Sequence, residues 1–116
     1  MKKTRSIKEN HVFRALYARG KSAACRSMVL YVRKHRDSAV NQLGITVSVK
    51  LGCAAERNRI RRRLKEAYRL SEARLKSGFD IVIVGRRAAL EAPFDQLMRD
   101  LFRLCGQLGL TEDKDA

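Results

Sequence analysis

The chain has 116 residues, enough for one hydrophobic core and too few for two. Twenty-six Lys and Arg face twelve Asp and Glu, a net charge of +14, and an excess of that size calls for an anionic partner: nucleic acid, an anionic membrane surface or an acidic protein. Hydrophobic residues make up 45% with seven Gly and one Pro, which excludes a low-complexity tail, and no apolar run approaches the roughly 18 residues of a membrane-spanning helix.

Residues 1–8 are basic and expected to be extended. The pattern then predicts a helix over about Glu9–Arg19, with Asn10 as a candidate cap and Gly20 as its stop. Val12 and Leu16 form one row on it, and Phe13 and Tyr17 the next. Met28–Val32 reads as a strand, rich in β-branched and aromatic residues, with a short pairing segment near Lys21–Ala24 before it. His35–Asn41 is a polar connection. Leu43–Val49 alternates strictly: Leu43, Ile45, Val47 and Val49 point one way, and Gly44, Thr46 and Ser48 the other, leaving one face free.

The longest helix is expected over about Ala55–Lys76, ending at Gly78. Its apolar stripe is Ile60, Leu64, Ala67, Ser71 and Leu75. Phe79–Val84 follows as an interior strand, covered on both faces. Pro93 opens a last helix whose core face is Phe94, Leu97, Leu101, Leu104 and Leu108. Residues 111–116 form a polar tail, expected to fray. Strands on both sides of a helical connection give an α+β fold with a mixed sheet in a single domain, 1–116. A right-handed βαβ crossover is the general expectation.

Cys25, Cys53 and Cys105 are far apart and odd in number, which argues against a disulfide framework. Neither His11 nor His35 joins them at zinc spacing. They read as small residues in or near a reduced core. Met1–Arg5 is basic, but Ile7–Asn10 is polar where a signal peptide is apolar, so a cytoplasmic protein without a membrane association is expected.

The densest charge is Arg57-Asn58-Arg59-Ile60-Arg61-Arg62-Arg63-Leu64-Lys65, six of whose nine residues are Arg or Lys, five of them Arg. Arg presents a planar fork that fits phosphate oxygens and base edges and can stack on bases. At about 100° per residue, Asn58, Arg61, Arg62, Lys65 and Arg69 fall opposite the apolar stripe. Arg57 and Arg59 are expected in the first turn, where cations oppose the helix dipole. The competing account is a solvated basic face. Against it, only Glu56, Glu66 and Glu72 lie nearby as partners. Phe13, Tyr17 and Tyr31 fall early in the chain, and if the first helix crosses the Tyr31 strand they line one groove. Aromatics in a basic groove stack single-stranded bases, although plain core packing would use the same residues. No paired carboxylates, activated nucleophile or metal spacing is present.

The run Arg57–Arg69 resembles the signature helix of the protein subunit of bacterial ribonuclease P. The resemblance extends to about Leu110. It takes in Val12–Tyr17 with Gly20, Val29-Leu30-Tyr31, Gly44–Ser48, Lys50-Leu51-Gly52 and Asp80–Val84. It implies a ribonucleoprotein that removes the 5′ leader from precursor tRNA. In it the RNA carries out phosphodiester hydrolysis with Mg²⁺, and one protein per RNA binds the catalytic RNA and the leader and lowers the Mg²⁺ requirement. The protein itself would then hold no catalytic residue, metal or cofactor. By the family pattern, Arg57, Asn58, Arg59 and Arg62 contact the catalytic RNA. Phe13, Tyr17, Val29 and Tyr31 form the leader groove, with Arg61 and Lys65 on its rim. The implied fold is a two-layer α+β sandwich on a mixed four-stranded sheet, like the second domain of ribosomal protein S5. Its βαβ crossover is left-handed, against the general expectation. Val49 and Cys53 depart from the pattern where basic or polar residues are common, and Tyr17 stands for a frequent Phe. The rival readings are a structural RNA-binding protein, a DNA-binding protein using the Arg helix in a groove, and a protein nuclease, for which Asp80 has no evident partner.

Overall fold

The computed structural model describes residues 4–35 and 39–111. In chain order these are β1 (Thr4–Ser6), α1 (Asn10–Arg19), β2 (Lys21–Ala24), β3 (Met28–Lys34), β4 (Asn41–Val47), α2 (Ala54–Ser71), β5 (Phe79–Gly85) and α3 (Phe94–Gln107). The sheet order is β1-β4-β5-β3-β2. β1–β4 and β4–β5 are parallel, while β3 runs antiparallel to both β5 and β2. The fold is α+β with a mixed sheet, as expected, but with five strands rather than four among the described residues. The fifth is β1, part of the extended basic segment. Thr4 Oγ1 lies 2.9 Å from the Tyr68 hydroxyl and also donates to Glu72, so a tertiary contact holds a segment that has no apolar pattern of its own.

Two hydrophobic layers sandwich the sheet. On one face Met28, Leu30, Val32, Ile81 and Ile83 pack with the α2 stripe (Ile60, Leu64, Ala67, with Leu75 beyond it) and with Leu97, Leu101 and Leu104 of α3. On the other, Ile7, Leu16 and Val82 are buried, with Val12, Phe13, Tyr31 and Val84 partly buried around them. β5 is thus covered on both faces, as its continuous apolar run predicted. Phe94 and Leu108 lie at the margin of the large core rather than inside it.

Several boundaries moved. β4 begins two residues early, where buried Asn41 accepts from the Phe79 N–H (2.9 Å) and donates to the Lys76 carbonyl (3.0 Å). It stops at Val47, because Ser48 Oγ accepts from the Lys50 N–H (3.2 Å) and turns the chain into a 3₁₀ segment, Val49–Leu51. Val49 is therefore 72% exposed instead of facing the core. α2 ends at Ser71 rather than Lys76, and a 3₁₀ turn, Glu72–Arg74, carries the stripe on to Leu75. Glu9, not Asn10, is the N-cap of α1, in extended conformation and without a side-chain cap. Gly20 ends α1 at a φ of −74°; glycine is needed there because a Cβ would sit 2.6 Å from the Leu16 carbonyl oxygen. Cys105 sits in the core and half-buried Cys25 packs against it, as expected, the Cys105 thiol pushed up to about 12 by burial, whereas Cys53 is exposed. Thr111 bridges to Leu75 and so belongs to the fold. The rest of the expected tail, 112–116, and residues 36–38 of the polar connection lie outside the described residues.

Candidate nucleic-acid interface

α1 crosses the sheet from the β1–β4 edge, where the Ile7 N–H donates to the Leu43 carbonyl (3.0 Å), to β3, where Gly20 lies against Val32. Its Phe13 ring covers Gly44, at which a Cβ would come within 2.6 Å of the ring. The strand face expected to be free is thus occupied at its centre. Tyr17 remains 46% exposed. It meets Tyr31 edge-on, ring centroids 5.0 Å apart and planes at 82°. Tyr31 is opposite Val82, and Val29 is opposite Val84, in the β3–β5 register. Phe13, Tyr17 and Tyr31 therefore share one face, as their spacing suggested, and Val29, added by the resemblance, lies on it too. Three are half-buried and Tyr17 more open. Phe13, Tyr17 and Tyr31 supply aromatic planes beside α1.

α2 lies on the opposite face. Ile60 and Leu64 pack on Gly85 of β5 near the C-terminal end of β4, whereas Tyr68 reaches Asn41 near the start of β4. The helix thus runs back along β4, and Arg57, Asn58 and Arg59 lie at the same end of the sheet as Val29 and Val84. Because α2 starts at Ala54, Arg57 is its fourth residue and Arg59 belongs to the second turn. The first turn carries Glu56, whose carboxylate accepts from the Cys53 N–H (3.2 Å). The dipole conflict expected at Arg59 is therefore absent, and the acidic first turn suits the helix.

The run of cations divides into two kinds. Arg63 turns inward: its guanidinium donates to the carbonyls of Ala89 (2.5 Å), Leu90 (2.9 Å) and Ala92. Desolvation, then the neighbouring Arg59, lowers its pKa from the usual value. Arg69 forms a two-bond pair with Glu66 at 2.7 and 2.8 Å. That contact holds the Glu66 carboxyl below its usual range. Glu56 is engaged by Arg87, which also lowers its pKa. Glu72 binds Thr4. Among the described residues Glu56 and Glu66 are thus engaged by Arg87 and Arg69 rather than by the remaining cations of the run. Asn58, Arg59, Arg62 and Lys65 are exposed, and Arg57 and Arg61 half-buried. The Arg61 guanidinium donates to Asn58 Oδ1 at 2.9 Å. The buried Arg57 Nε has no hydrogen-bond partner among the described residues.

Arg61, Arg62 and Lys65 gather beside the β1–β4 edge, lining a cavity whose apolar side is Leu43 and Ile45. Leu43 and Ile45 are on the face of β4 opposite Gly44 and Phe13. The expected rim residues Arg61 and Lys65 are therefore separated from the aromatic groove by that sheet edge. Arg5 lines both this cavity and a second depression with Lys8, Glu9 and Gln42, so basic surface continues around the edge.

The Ribonuclease P family profile matches residues 1–109. The chain belongs to the ribonuclease P protein family. It is 38% identical over 112 residues to the ribonuclease P protein component of Symbiobacterium thermophilum, covering 97% of each. It is 40% identical to that of Clostridium kluyveri, covering 90% of this chain and 94% of that one. Among solved structures, an RNase P protein mutant from Staphylococcus aureus with defective mRNA degradation activity superposes at a TM-score of 0.81 with 30% identity, over 90% of this chain and 88% of that one. The RNase P protein from Thermotoga maritima superposes at 0.78 with 26% identity, over 88% and 96%. The chain's activity is accordingly that of a ribonuclease P protein component in tRNA processing. No helix among the described residues is long and apolar enough to cross a membrane.

Proposed function

We propose that this chain holds the catalytic RNA of ribonuclease P through Arg57, Asn58, Arg59 and Arg62, and receives the 5′ leader of precursor tRNA on Phe13, Tyr17, Val29 and Tyr31. Arg61 and Lys65 then attract phosphates around the β4 edge. The observation that carries the reading is the set of unneutralised cations Arg59, Arg62 and Lys65 on a helix whose other face is buried. Arg59 lies at the end of the sheet that carries Val29, and Arg62 and Lys65 line the cavity beside the β1–β4 edge. Cations held in place by a packed helix lower the repulsion between two RNAs without requiring as many condensed divalent ions. Aromatic planes take unstacked leader bases with little sequence preference.

In this reading the RNA carries out hydrolysis, the Mg²⁺ belongs to the RNA-containing holoenzyme, and one protein serves one RNA. Among the described residues no three His, Cys, Asp or Glu side chains are grouped to hold a metal ion, and no step is assigned to a protein-bound metal. The test is cleavage of a leader-bearing precursor at low Mg²⁺ with catalytic RNA alone, protein alone, and both. Efficient cutting only by the mixture is expected. A protein that neither binds nor activates the RNA would favour a general RNA-binding role.

A further inference from the structure

The cavity at the β1–β4 edge is more than a stretch of charged surface. Leu43 is buried and Ile45 half-buried, and they give it an aliphatic floor. Arg61, Arg62 and Lys65, one turn of α2, form its wall. Thr4 and Ser6 close the third side, and the hydrogen bonding of Thr4 to Tyr68 and Glu72 fixes that strand in place. Its volume of about 250 Å³ falls just below the roughly 300–1,000 Å³ of pockets that take drug-sized ligands. Phosphate binding alone needs no apolar floor. An aliphatic floor beneath planar guanidinium groups matches a flat, weakly polar ring carried on an anionic backbone.

We infer that this cavity receives one unpaired nucleotide of RNA. Its base lies on Leu43 and Ile45, and its flanking phosphates are held by Arg61, Arg62 and Lys65. This rests on the ribonuclease P reading for the presence of RNA, but it makes Arg61 and Lys65 part of a base pocket on the α2 face, apart from the aromatic groove on the α1 face. Two sources share this chemistry, the catalytic RNA and the precursor's leader. A base drawn out of its stack and gripped on both sides gains affinity comparable to aromatic stacking, about ten-fold.

The test is Ser6→Trp, which fills the mouth from an exposed position on an edge strand and removes no cation. One arm measures binding of the full chain to the catalytic RNA at fixed salt. The other measures the affinity of the assembled holoenzyme for precursor tRNA with and without a leader. A roughly ten-fold loss confined to the first arm assigns the nucleotide to the catalytic RNA, and one confined to leader discrimination assigns it to the leader. The salt slope should fall in the affected arm alone, since the nucleotide's phosphate contacts are lost with it. Wild-type affinities in both arms from a folded Ser6→Trp variant would overturn the inference while leaving the general reading intact. Should that variant fold poorly, Ile45→Thr, which keeps the β-branch but shortens the side chain and adds a hydroxyl at a half-buried site, should lower whichever arm the nucleotide belongs to. A third measurement needs no catalytic RNA: nuclear magnetic resonance of the free chain with nucleoside 5′-monophosphates against inorganic phosphate. The nucleotides should move the Leu43 and Ile45 methyl signals in wild type but not in Ser6→Trp, and phosphate should not. Equal movement by phosphate would reduce the site to an anion-binding strip.

Discussion

The two faces of the sheet are built to different standards. Beneath α2 and α3 the core is deep and made of matched stripes, with Ile60, Leu64, Ala67, Leu97, Leu101 and Leu104 fully enclosed. Beneath α1 the buried apolar side chains among the described residues are Ile7, Leu16 and Val82. The remaining apolar groups there are left partly open. A thick core fixes the cations of α2 in space, whereas a thin one leaves aromatic planes within reach of a single strand. Rigidity belongs where charges must be positioned, and incomplete burial where bases must be admitted.

The largest expected effect tests the claim of rigidity within the cationic helix itself. Arg62 and Arg63 are adjacent and alike in sequence, yet Arg63 satisfies the carbonyls of Ala89, Leu90 and Ala92. Arg63→Ala should cost about 2–4 kcal/mol of folding stability, since hydrogen bonds from a charged group contribute more than neutral ones and partly buried carbonyls would lose their donors. Arg62→Ala should change stability by less than about 0.5 kcal/mol. Urea unfolding of both variants decides it, and equal stabilities would mean that Arg63 is only another surface cation.

That pair also marks the limit of what could be read from the sequence. The apolar spacing of Ile60, Leu64, Ala67, Ser71 and Leu75 located the buried face of α2 correctly, because burial obeys the helical period. For charge the period gives less: it leaves Arg63 off the face opposite the stripe, but its role appears only when the segment 87–92 brings carbonyls beside it from elsewhere in the chain. The same holds for β1. Thr4-Arg5-Ser6 has no hydrophobic alternation, and its place in the sheet depends on Tyr68 and Glu72, more than sixty residues away. Tyr68 itself, fully buried, lies beside Ala67 at the edge of the stripe, where the apolar spacing does not mark it. Conversely, the alternation from Leu43 to Val49 was too persuasive, since it ran past the residue where Ser48 turns the chain. The aromatic set was legible as far as helix row and strand parity go. The separation of Arg61 and Lys65 from it was not, because it depends on which face of β4 the returning helix covers.

The next effect concerns the thin face. At Gly44 an added Cβ would stand 2.6 Å from the Phe13 ring, so Gly44→Ala should lift α1 and cost about 1–3 kcal/mol, the usual range for overpacking. Because α1 carries Phe13 and Tyr17, leader discrimination should fall with stability. A variant that keeps both would show that α1 has room to shift. Tyr31→Ala removes the plane that Tyr17 meets edge-on. It should narrow the affinity difference between precursor and mature tRNA by about 1–3 kcal/mol, and an unchanged difference would return Tyr31 to a packing role.

The smallest effect is the sharpest comparison, because it separates the faces by salt rather than by affinity. Arg59 is exposed, has no ion-pair partner among the described residues, and lies on the rigid side. If it neutralises one phosphate of the catalytic RNA, Arg59→Ala should reduce the slope of log affinity against log salt by about 0.7–0.9, with little change in folding stability. Tyr31→Ala should leave that slope alone, because stacking releases no counterions. Measuring both slopes for the catalytic RNA and for leader discrimination tests whether the two faces divide the work. Arg59→Ala should act mainly on the first and Tyr31→Ala on the second. Equal loss in both from either variant would mean that the catalytic RNA and the leader share one continuous surface around the β4 edge.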